Sequence, residues 1–347
     1  MSSRTLLGLD IGSRYVKAAE LTESKGGLAL TGWVRAEVTQ PEGLADMLRD
    51  IVTRAGWKGK RVATSVSGRN VIVRYITHRR VPDAELAASM KYEVAKYLPF
   101  EPELGYVDWE RLEEPGGAIA EAPGGPGQST EMRVLLAAAR RDAVDDHVAL
   151  LEKIGLKPAI VDVDSFALCN AFELRAMASP SMAEKTSALL DIGALKTSVA
   201  IMKPFSSYYF TREIYVAGND FTGEIGRALG TDAESAEQAK RLQVDRVDEM
   251  KAAIATLLEA LWHEVRLSFD HFEEQYERPV EEIWLSGGAS ATPGLADALQ
   301  AGFGKAPSKW DPTEGLPLGG EVNSADIKGA AAQAAIAIGL ASRVKDE

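Results

Sequence analysis

The chain has 347 residues and a formal net charge of −12, and 46% of its residues are hydrophobic. This length exceeds what one ordinary core holds and suffices for two lobes or more, while the negative charge argues against nucleic-acid binding and against direct attachment to anionic lipid. One cysteine, Cys169, excludes an internal disulfide, and the lack of a secretory leader or long apolar run predicts a cytoplasmic protein that reaches a membrane only through a partner.

The first predicted element is a hairpin at residues 6–21. An apolar strand runs into Asp-Ile-Gly at Asp10, a short turn follows, and a second strand carries the chain back. Hydrophobic spacing then predicts a strand at 28–38, an amphipathic helix at 44–55 and a strand at 61–68. A three-stranded ribbon followed by a helix and another strand indicates the beginning of an α/β lobe.

From residue 70 onward the pattern changes, and the sequence predicts a small α+β insertion in the first lobe. Its elements are a strand, a helix and two further strands, at residues 70–81, 82–98, 105–112 and 132–140. The helix opens with Pro and Asp, which are start signals, and Pro99 prevents it from continuing. Between the last two strands, the Pro- and Gly-rich stretch 115–129 predicts a mobile surface loop.

The segment 142–178 closes the first lobe with a helix, a strand and a second helix. The second lobe opens on a near copy of the first hairpin, at residues 188–202, in which Asp-Ile-Gly again follows an apolar strand. Helical stretches follow between residues 220 and 276, and the last carries an apolar stripe typical of a core helix. A buried strand with a Ser-Gly-Gly-Ala turn comes next, at 281–289, and a small-residue helix is predicted at 329–343.

The repeated Asp-Ile-Gly hairpins have the chemistry of a phosphate site. A phosphate chain needs backbone N–H groups that come close without obstruction by side chains, which Gly12 and Gly193 permit. Asp10 and Asp191 are placed to hold a hydrated Mg²⁺ ion, because this ion prefers oxygen ligands and keeps several waters. Taken alone, either phrase also fits an ordinary turn, but the repeat favours two related lobes that hold one nucleotide between them.

The order of these pieces resembles the actin-like ATPase superfamily of actin, sugar kinases, DnaK-type chaperones and FtsA. The resemblance rests on both hairpins, a connecting helix at 165–172, the Gly-Gly turn at 285–289 and the small-residue helix at 329–340. It implies a two-lobed α/β fold in which the hairpins bind the phosphates and the Gly-Gly turn holds the adenosine. The stretch ESAEQAKR also matches, which implies that Glu237 and Lys240 contact the ribose and base from one helix face.

A closer resemblance concerns the inserted segment. The stretch KYEVAKYLPFEPELGYVDWERL, together with VDVDSFALCNAF and the second hairpin, resembles the PilM family of type IV pilus assembly proteins. That resemblance implies a cytoplasmic adaptor that binds ATP or ADP and lies at the inner membrane through its partners. The implied partners are the cytoplasmic N-terminal tail of the membrane protein PilN and other pilus assembly and motor components.

The resemblance also implies a peptide groove that involves the inserted segment. Four apolar residues crowd together at the end of its helix, and these candidates for peptide binding are Tyr97, Leu98, Pro99 and Phe100. The same residues equally suit a staple that packs the helix onto its own sheet.

The hairpin chemistry and the resemblance together define an expected nucleotide site. Its residues are Asp10, Gly12, Ser13, Arg14, Lys17, Asp191, Gly193, Lys196, Thr197, Glu237, Lys240, Gly287, Gly288 and Ala289. Asp10 and Asp191 are also expected to hold Mg²⁺ through water. Arg14 and Tyr15 depart from the small and hydroxyl residues that sugar kinases and chaperones favour at this turn, so contact between these side chains and phosphate stays open.

The superfamily architecture implies a division of the chain into lobes. The expected first lobe comprises residues 1–68, 152–185 and 325–347. The inserted subdomain is expected at 69–151 and the second lobe at 186–324, with a helical subdomain at 218–278.

Hydrolysis of the nucleotide is left undecided by the sequence. Positioning a water needs an acidic or amide group, for which Asp162 and Asp164 are candidates, although both also suit local hydrogen bonding. Two alternatives to the adaptor stay open: an FtsA-like filament-forming protein recruited to a membrane, and a small-molecule kinase of the sugar-kinase type. The sequence shows no polar sugar-binding cluster, which counts against the kinase.

Overall fold

The structure, a computed structural model, describes residues 3–112, 131–207, 209–319 and 322–346. The loop predicted at 115–129 lies outside the described residues. The strands are β1 (Arg4–Ile11), β2 (Tyr15–Ser24), β3 (Gly27–Glu37), β4 (Arg61–Val66), β5 (Val71–Arg79), β6 (Gly105–Leu112), β7 (Glu131–Arg140), β8 (Lys157–Val163), β9 (Ser187–Ile192), β10 (Thr197–Met202), β11 (Tyr209–Ile214), β12 (Glu282–Ser286) and β13 (Ser308–Lys309). The α-helices are α1 (Leu44–Arg54), α2 (Asp83–Glu93), α3 (Arg141–Lys153), α4 (Asp164–Ala178), α5 (Pro180–Ala183), α6 (Gly218–Leu229), α7 (Ala233–Leu242), α8 (Val247–Tyr276), α9 (Leu295–Phe303), α10 (Ser324–Gly329) and α11 (Ala335–Ala341).

The two large sheets are built alike. The first has the strand order β3-β2-β1-β4-β8 and the second has the order β11-β10-β9-β12-β13. In each, an antiparallel three-stranded ribbon continues into parallel strands on the side of its first strand. Each Asp-Ile-Gly phrase therefore ends the central strand of its sheet, β1 or β9, beside the carboxyl ends of parallel neighbours, where open α/β sheets hold their ligands. The predicted repeat of two related halves is confirmed.

The inserted segment forms a third, antiparallel sheet with the order β5-β7-β6. One face of this sheet is covered by α2, whose Leu86 and Met90 are buried against Val134 and Leu136. The carboxyl-terminal end of β7 leads directly into α3, which returns the chain to the first sheet. The predicted order of strand, helix, strand and strand is confirmed for this segment, while the exact subdomain boundaries stay a prediction.

The helices α4 and α11 lie between the two large sheets and fill the space with small side chains. A Cβ atom added to Gly339 of α11 would collide with the backbone carbonyl of Ala167 in α4. A Cβ atom on Gly8 of β1 would likewise collide with the carbonyl of Ala337. Glycine at these positions lets the backbones approach to a distance that a larger residue forbids. The close packing predicted for the small-residue segment is confirmed.

This segment is not the single helix that the sequence predicts at 329–343. It is divided into α10, a 3-10 turn at Ala331–Gln333, α11 and a last 3-10 turn. The carbonyl of Ala332 accepts a hydrogen bond from the amide of Gly287, at 2.5 Å. In a continuous helix this carbonyl would accept from the amide four residues later. The contact with the Gly-Gly turn thus explains why the helix breaks at this point.

The long helix α8 buries one stripe against the second sheet. The residues of this stripe that are almost completely buried are Ile254, Leu258, Leu261, Val265, Phe269 and Phe272. The stripe was predicted to be core, and this is confirmed. Within the described ranges, no helix combines the length and the apolar character that a bilayer crossing requires.

Candidate functional site

A cavity of about 580 Å³ opens between the two large sheets, where both hairpins turn. Its volume falls within the roughly 300–1,000 Å³ of small-molecule sites. The predicted residues that line it are Asp10, Gly12, Ser13, Arg14, Lys17, Asp191, Gly193, Lys196, Glu237, Lys240, Gly287, Gly288 and Ala289. Thr197 does not line the cavity, because its hydroxyl turns away and donates to the carbonyl of Val216, at 2.7 Å.

Both hairpin turns are closed by the same backbone hydrogen bond. The amide of Gly12 donates to the carbonyl of Tyr15, at 3.1 Å, and the amide of Gly193 donates to the carbonyl of Lys196, at 2.9 Å. A Cβ atom on Gly12 would lie 2.8 Å from that carbonyl oxygen of Tyr15. Each of these two amides therefore forms a hydrogen bond within its own turn, and glycine allows the turn to be tight.

Asp10 forms an ion pair across the first hairpin. The Lys17 ammonium lies 2.6 Å from its Oδ2 atom, because the register of β1 and β2 places these residues opposite each other. Burial raises the pKa of Asp10, and the charge of Lys17 opposes that rise. The pair brings one positive charge and one carboxylate to the cavity wall.

Asp191 lies at the same position of the second hairpin but faces Ser198 in place of a lysine. Its Oδ1 atom accepts a hydrogen bond from Ser286 on β12, at 2.8 Å. Loss of solvent raises the pKa of Asp191 to about 6, because the Ser286 hydroxyl and the charge of Lys17 offset that loss only in part and the neighbouring carboxylates add to it. A partly buried carboxylate without a paired cation is a position where a cation would be stabilised.

Lys196 occupies a pocket between two carboxylates. Its ammonium lies 2.5 Å from Glu213 on β11 and 3.0 Å from Asp164 at the start of α4. Ser65, at the end of β4, donates to the other oxygen of Asp164, at 2.6 Å. Burial acts to raise the pKa of Asp164, but Lys196 and the serine hydroxyls outweigh it and lower this pKa. Asp164 is therefore ionised at the cavity wall.

The other candidate for positioning water, Asp162, lies elsewhere. It does not line the cavity, and its Oδ2 atom is 2.6 Å from the guanidinium of Arg343. Burial raises the pKa of this carboxyl, and Arg343 opposes the rise. The geometry brings Asp164 to the cavity and leaves Asp162 in a contact with the last turn of the chain.

Glu237 and Lys240 lie on the same face of α7, as their spacing predicts. The Lys240 ammonium contacts Glu237 Oε2, at 2.6 Å, and also donates to the carbonyl of Gly218, at 2.9 Å. Thr222 donates to the same Glu237 oxygen, at 2.6 Å. Burial lowers the pKa of Lys240, an effect that the carboxylate opposes. Arg14 reaches Glu237 from the first hairpin, at 3.7 Å, and so joins the two lobes across the mouth of the cavity.

The Gly-Gly turn follows β12 and forms the floor of the cavity beside α11. Gly287 has a φ of +89°, and a Cβ atom there would collide with the backbone of Ile192. Gly288 has more room, because its nearest neighbour is the side chain of Gln333, at 3.7 Å from a built Cβ. The turn therefore offers bare backbone to a flat ligand surface.

Several cavity residues were missed by sequence reasoning. They include Ser65, Ser67, Gly68, Arg69, Ser198, Tyr215, Arg241 and Gln333. Ser65 lies near the end of β4 and Ser67 directly follows this parallel strand, whose carboxyl end borders the cleft, which is a signal that could have found them. Tyr215, Arg241 and Gln333 come from distant segments whose positions depend on packing between the lobes.

The residues expected to bind a peptide lie beyond α2, because the helix predicted at 82–98 ends at Glu93 and a 3-10 turn, Val94–Lys96, follows it. Tyr97 and Leu98 are half-buried against the core of the third sheet. The ring of Phe100 lies against Gly105, 2.6 Å from a Cβ built there, and Pro99 is exposed. Tyr97 and Leu98 therefore pack as the staple that the sequence offered as one alternative. The peptide-binding role of all four residues stays a prediction.

Metal binding through protein ligands alone has little support in the cavity. Within residues 3–112, 131–207, 209–319 and 322–346, no three His, Cys, Asp or Glu residues converge closely enough to hold an ion. The carboxylates of Asp10 and Asp191 come from separate hairpins. They fit an ion that keeps most of its water shell, as Mg²⁺ does.

Comparison with known proteins agrees with this geometry. The family model described as "Type IV pilus assembly protein PilM" matches residues 8–345. The chain is 28% identical to a chain of the solved structure "PilM-PilN type IV pilus biogenesis complex", over 98% of each chain, with a TM-score of 0.81.

More distant structures share the architecture. The ethanolamine utilization protein EutJ from Carboxydothermus hydrogenoformans is 12% identical over 99% of this chain and 90% of its own, with a TM-score of 0.54. MreB5 of Spiroplasma citri bound to ADP is 12% identical over 89% and 92%, with a TM-score of 0.50. These similarities concern the fold alone, and they confirm the predicted two-lobed, actin-like α/β architecture.

Proposed function

Because the chain belongs to the PilM family of type IV pilus assembly proteins, we propose that it is a nucleotide-binding adaptor of pilus assembly whose partner is the cytoplasmic tail of PilN. The similar chain in the PilM-PilN complex supports the choice of partner, since the match extends over almost the whole length of both chains. Association with the inner membrane then takes place through PilN.

The nucleotide part of the proposal depends chiefly on one observation: both Asp-Ile-Gly hairpins turn into the same cavity, between two sheets of the same topology. ATP or ADP fits there with its phosphates between the hairpins, where Lys17 and Lys196 provide positive charge. The ribose then lies toward Glu237 on α7 and the adenine over the bare backbone of Gly288.

Mg²⁺ is part of the proposal for electrostatic reasons. Asp10 is a buried carboxyl group at the cavity wall and Asp164 and Asp191 are partly buried ones, and a nucleotide adds further negative charge. Lys17 and Lys196 are already engaged by carboxylates, so these two lysines alone do not balance the phosphates. A hydrated Mg²⁺ held through water by Asp10 and Asp191 would neutralise the phosphates and relieve the unpaired charge at Asp191.

The inserted segment is the proposed docking region for the peptide. The exposed residue Pro99 and the partly exposed Phe100 remain accessible beside the staple, and Tyr92 on α2 is 82% exposed. Exposed aromatic side chains are frequent anchors of peptide interfaces, because they bury a large apolar area at little entropic cost. The residues just beyond α2 therefore combine a rigid base with accessible apolar groups.

Two titrations test the proposed function. Calorimetry with Mg²⁺-ATP should give saturable binding at one site per chain. A synthetic peptide of the PilN cytoplasmic tail should bind the same protein, and repeating that titration with Mg²⁺-ATP present measures any coupling. A protein that binds neither the nucleotide nor the peptide would refute the adaptor, whereas equal peptide affinities with and without nucleotide would remove only the coupling.

A further inference from the structure

Glu213 on β11 contacts both the cavity and the beginning of the inserted segment. Its Oε1 atom accepts a hydrogen bond from the backbone amide of Gly68, at 3.0 Å, and the Lys196 ammonium lies 2.5 Å from the same oxygen. The hydroxyl of Tyr215 donates to the other oxygen, Oε2, at 3.2 Å. One carboxylate therefore accepts from three donors, two of which, Gly68 and Lys196, share its Oε1 atom.

The two donors at Oε1 belong to different segments of the chain, and both residues line the cavity. Lys196 lies on the second hairpin and lines the cavity proposed to hold the phosphates. Gly68 begins the 3-10 turn Gly68–Asn70, between the end of β4 and the start of β5, and so forms the root of the inserted segment. Its φ of +79° places it in the left-handed region that favours glycine. A change at Glu213 is thus transmitted to the point where the inserted segment leaves the first sheet.

The contacts form a closed ring around this root. Asp164 joins it from the other side, since it accepts from Ser65 on β4 and pairs with Lys196. Ser65, Gly68, Asp164 and Lys196 all line the cavity, and Lys196 is the cation among them, with 20% of its side chain exposed. A phosphate oxygen that attracts this ammonium would withdraw it from Oε1 of Glu213.

We infer that Glu213 couples phosphate occupancy of the cavity to the rigidity of the root at Gly68, an inference that rests on the proposed nucleotide binding. Lys196 and the Gly68 amide share one oxygen, so when the lysine turns to a phosphate the amide becomes the remaining donor to Oε1. A hydrogen bond to a carboxylate with less of its charge neutralised is stronger. Nucleotide binding therefore tightens the root of the inserted segment, through which the protein meets its peptide partner.

Two variants separate the charge from the shape of this contact. Glu213→Gln keeps an oxygen that accepts from Gly68 but loses the ion pair with Lys196, so departure of the lysine no longer strengthens the bond. Glu264→Gln is the matched control, because Glu264 pairs with Arg212, the preceding residue of β11, at 2.5 Å and away from the cavity. Both substitutions remove one negative charge from the same neighbourhood.

The experiment is amide hydrogen exchange of the segment 66–71, followed by mass spectrometry on the full chain, with Mg²⁺-ATP or Mg²⁺-AMP at saturation. Nucleotide binding is measured by calorimetry on the same samples. In the wild type and in Glu264→Gln we expect ATP to slow exchange of this segment severalfold and AMP, which lacks the outer phosphates, to leave it unchanged. In Glu213→Gln we expect the slowing to be smaller.

Three results would overturn the inference. Unchanged or faster exchange in the wild type, while ATP binds, would remove the coupling and leave the proposed nucleotide function intact. Equal slowing in Glu213→Gln and in the wild type would show that another contact carries the effect. Absence of ATP binding would refute both the coupling and the nucleotide function. Ser67, Gly68 and Arg69 line the cavity, so direct contact with ATP also slows exchange there, and the comparison of Glu213→Gln with the wild type is the one that decides. If Glu213→Gln fails to fold, Glu213→Asp, whose shorter side chain withdraws the carboxylate from Gly68, takes its place in that comparison.

Discussion

Lys17 places its ammonium 2.6 Å from the carboxylate of Asp10, directly across the first hairpin. The second hairpin has the same backbone but lacks this pair, because Ser198 is the cross-strand neighbour of Asp191. The two halves of the cavity thus share their geometry and differ in charge. In the first half the lysine pairs with the Asp-Ile-Gly carboxylate, whereas in the second half Lys196 pairs with Asp164 and Glu213 and the Asp191 carboxylate has no lysine opposite it.

The pair at the first hairpin makes Asp10 the most sensitive position for nucleotide binding. Asp10→Asn keeps the size of the side chain but removes the charge that pairs with Lys17 and that is proposed to hold the hydrated Mg²⁺. We expect the affinity for Mg²⁺-ATP to fall by about 100-fold, equivalent to about 2.7 kcal/mol, in a calorimetric titration. Asp46→Asn on α1 is the control, because that side chain is 83% exposed. Normal ATP binding by Asp10→Asn would contradict the proposed site.

The partly buried carboxyl of Asp191 predicts a pH-dependent stability. Its pKa is about 6 in the folded protein and 3.8 as the ordinary value, so the folded state holds a proton that the unfolded state releases between these values. Stability is therefore lost as the pH rises from about 4 to about 6 and is constant above that range. Asp191→Asn should abolish this loss and stabilise the free protein by up to about 3 kcal/mol at pH 8.

Urea unfolding in the absence of nucleotide at pH 8 and at pH 4 measures the effect of Asp191→Asn. The variant and the wild type should differ at pH 8 and converge at pH 4. A difference of equal size at both pH values would show that the carboxyl charge is not its cause. The same variant should bind Mg²⁺-ATP more weakly, because the group that costs stability is also the proposed Mg²⁺ residue.

Lys240 and Glu237 give a prediction about the wall of the site on α7. Lys240→Met leaves the carboxylate of Glu237 largely buried without its closest cation. We expect a loss of about 3 kcal/mol in the free energy of unfolding, as for other broken buried ion pairs. Arg241→Met, one position further along the helix, is the control because that residue is exposed. The double variant Glu237→Gln with Lys240→Met should recover part of the loss, and strictly additive effects would contradict the ion pair.

Local patterns in the sequence predicted most of the fold and part of the site. The hairpins could be predicted because an apolar strand, Asp-Ile-Gly and a returning strand are contiguous. Thr197 shows where closer attention to periodicity would have helped, since successive strand residues face opposite sides. Lys196 and Ser198 line the cavity, so the side chain of Thr197 between them faces the opposite side of β10.

Other parts of the site depend on contacts between distant segments. Gly68 and Glu213 are joined by a hydrogen bond, yet no periodicity or motif links their positions in the chain. The break in the helix predicted at 329–343 has a similar origin, because it depends on the hydrogen bond between Gly287 and Ala332. Such contacts follow from the packing of the lobes, which single-sequence patterns do not specify.

The backbone contact between α4 and α11 gives the last prediction. A Cβ atom on Gly339 would collide with the carbonyl of Ala167, and a buried helix has little freedom to yield. Gly339→Ala should therefore lower the free energy of unfolding by about 3 kcal/mol, at the upper end of overpacking effects. Gly329→Ala, in the same small-residue segment, places its methyl group in open space and should be neutral or stabilise by up to about 1 kcal/mol. Urea unfolding of both variants decides the matter, and equal stabilities would mean that the two helices can separate without cost.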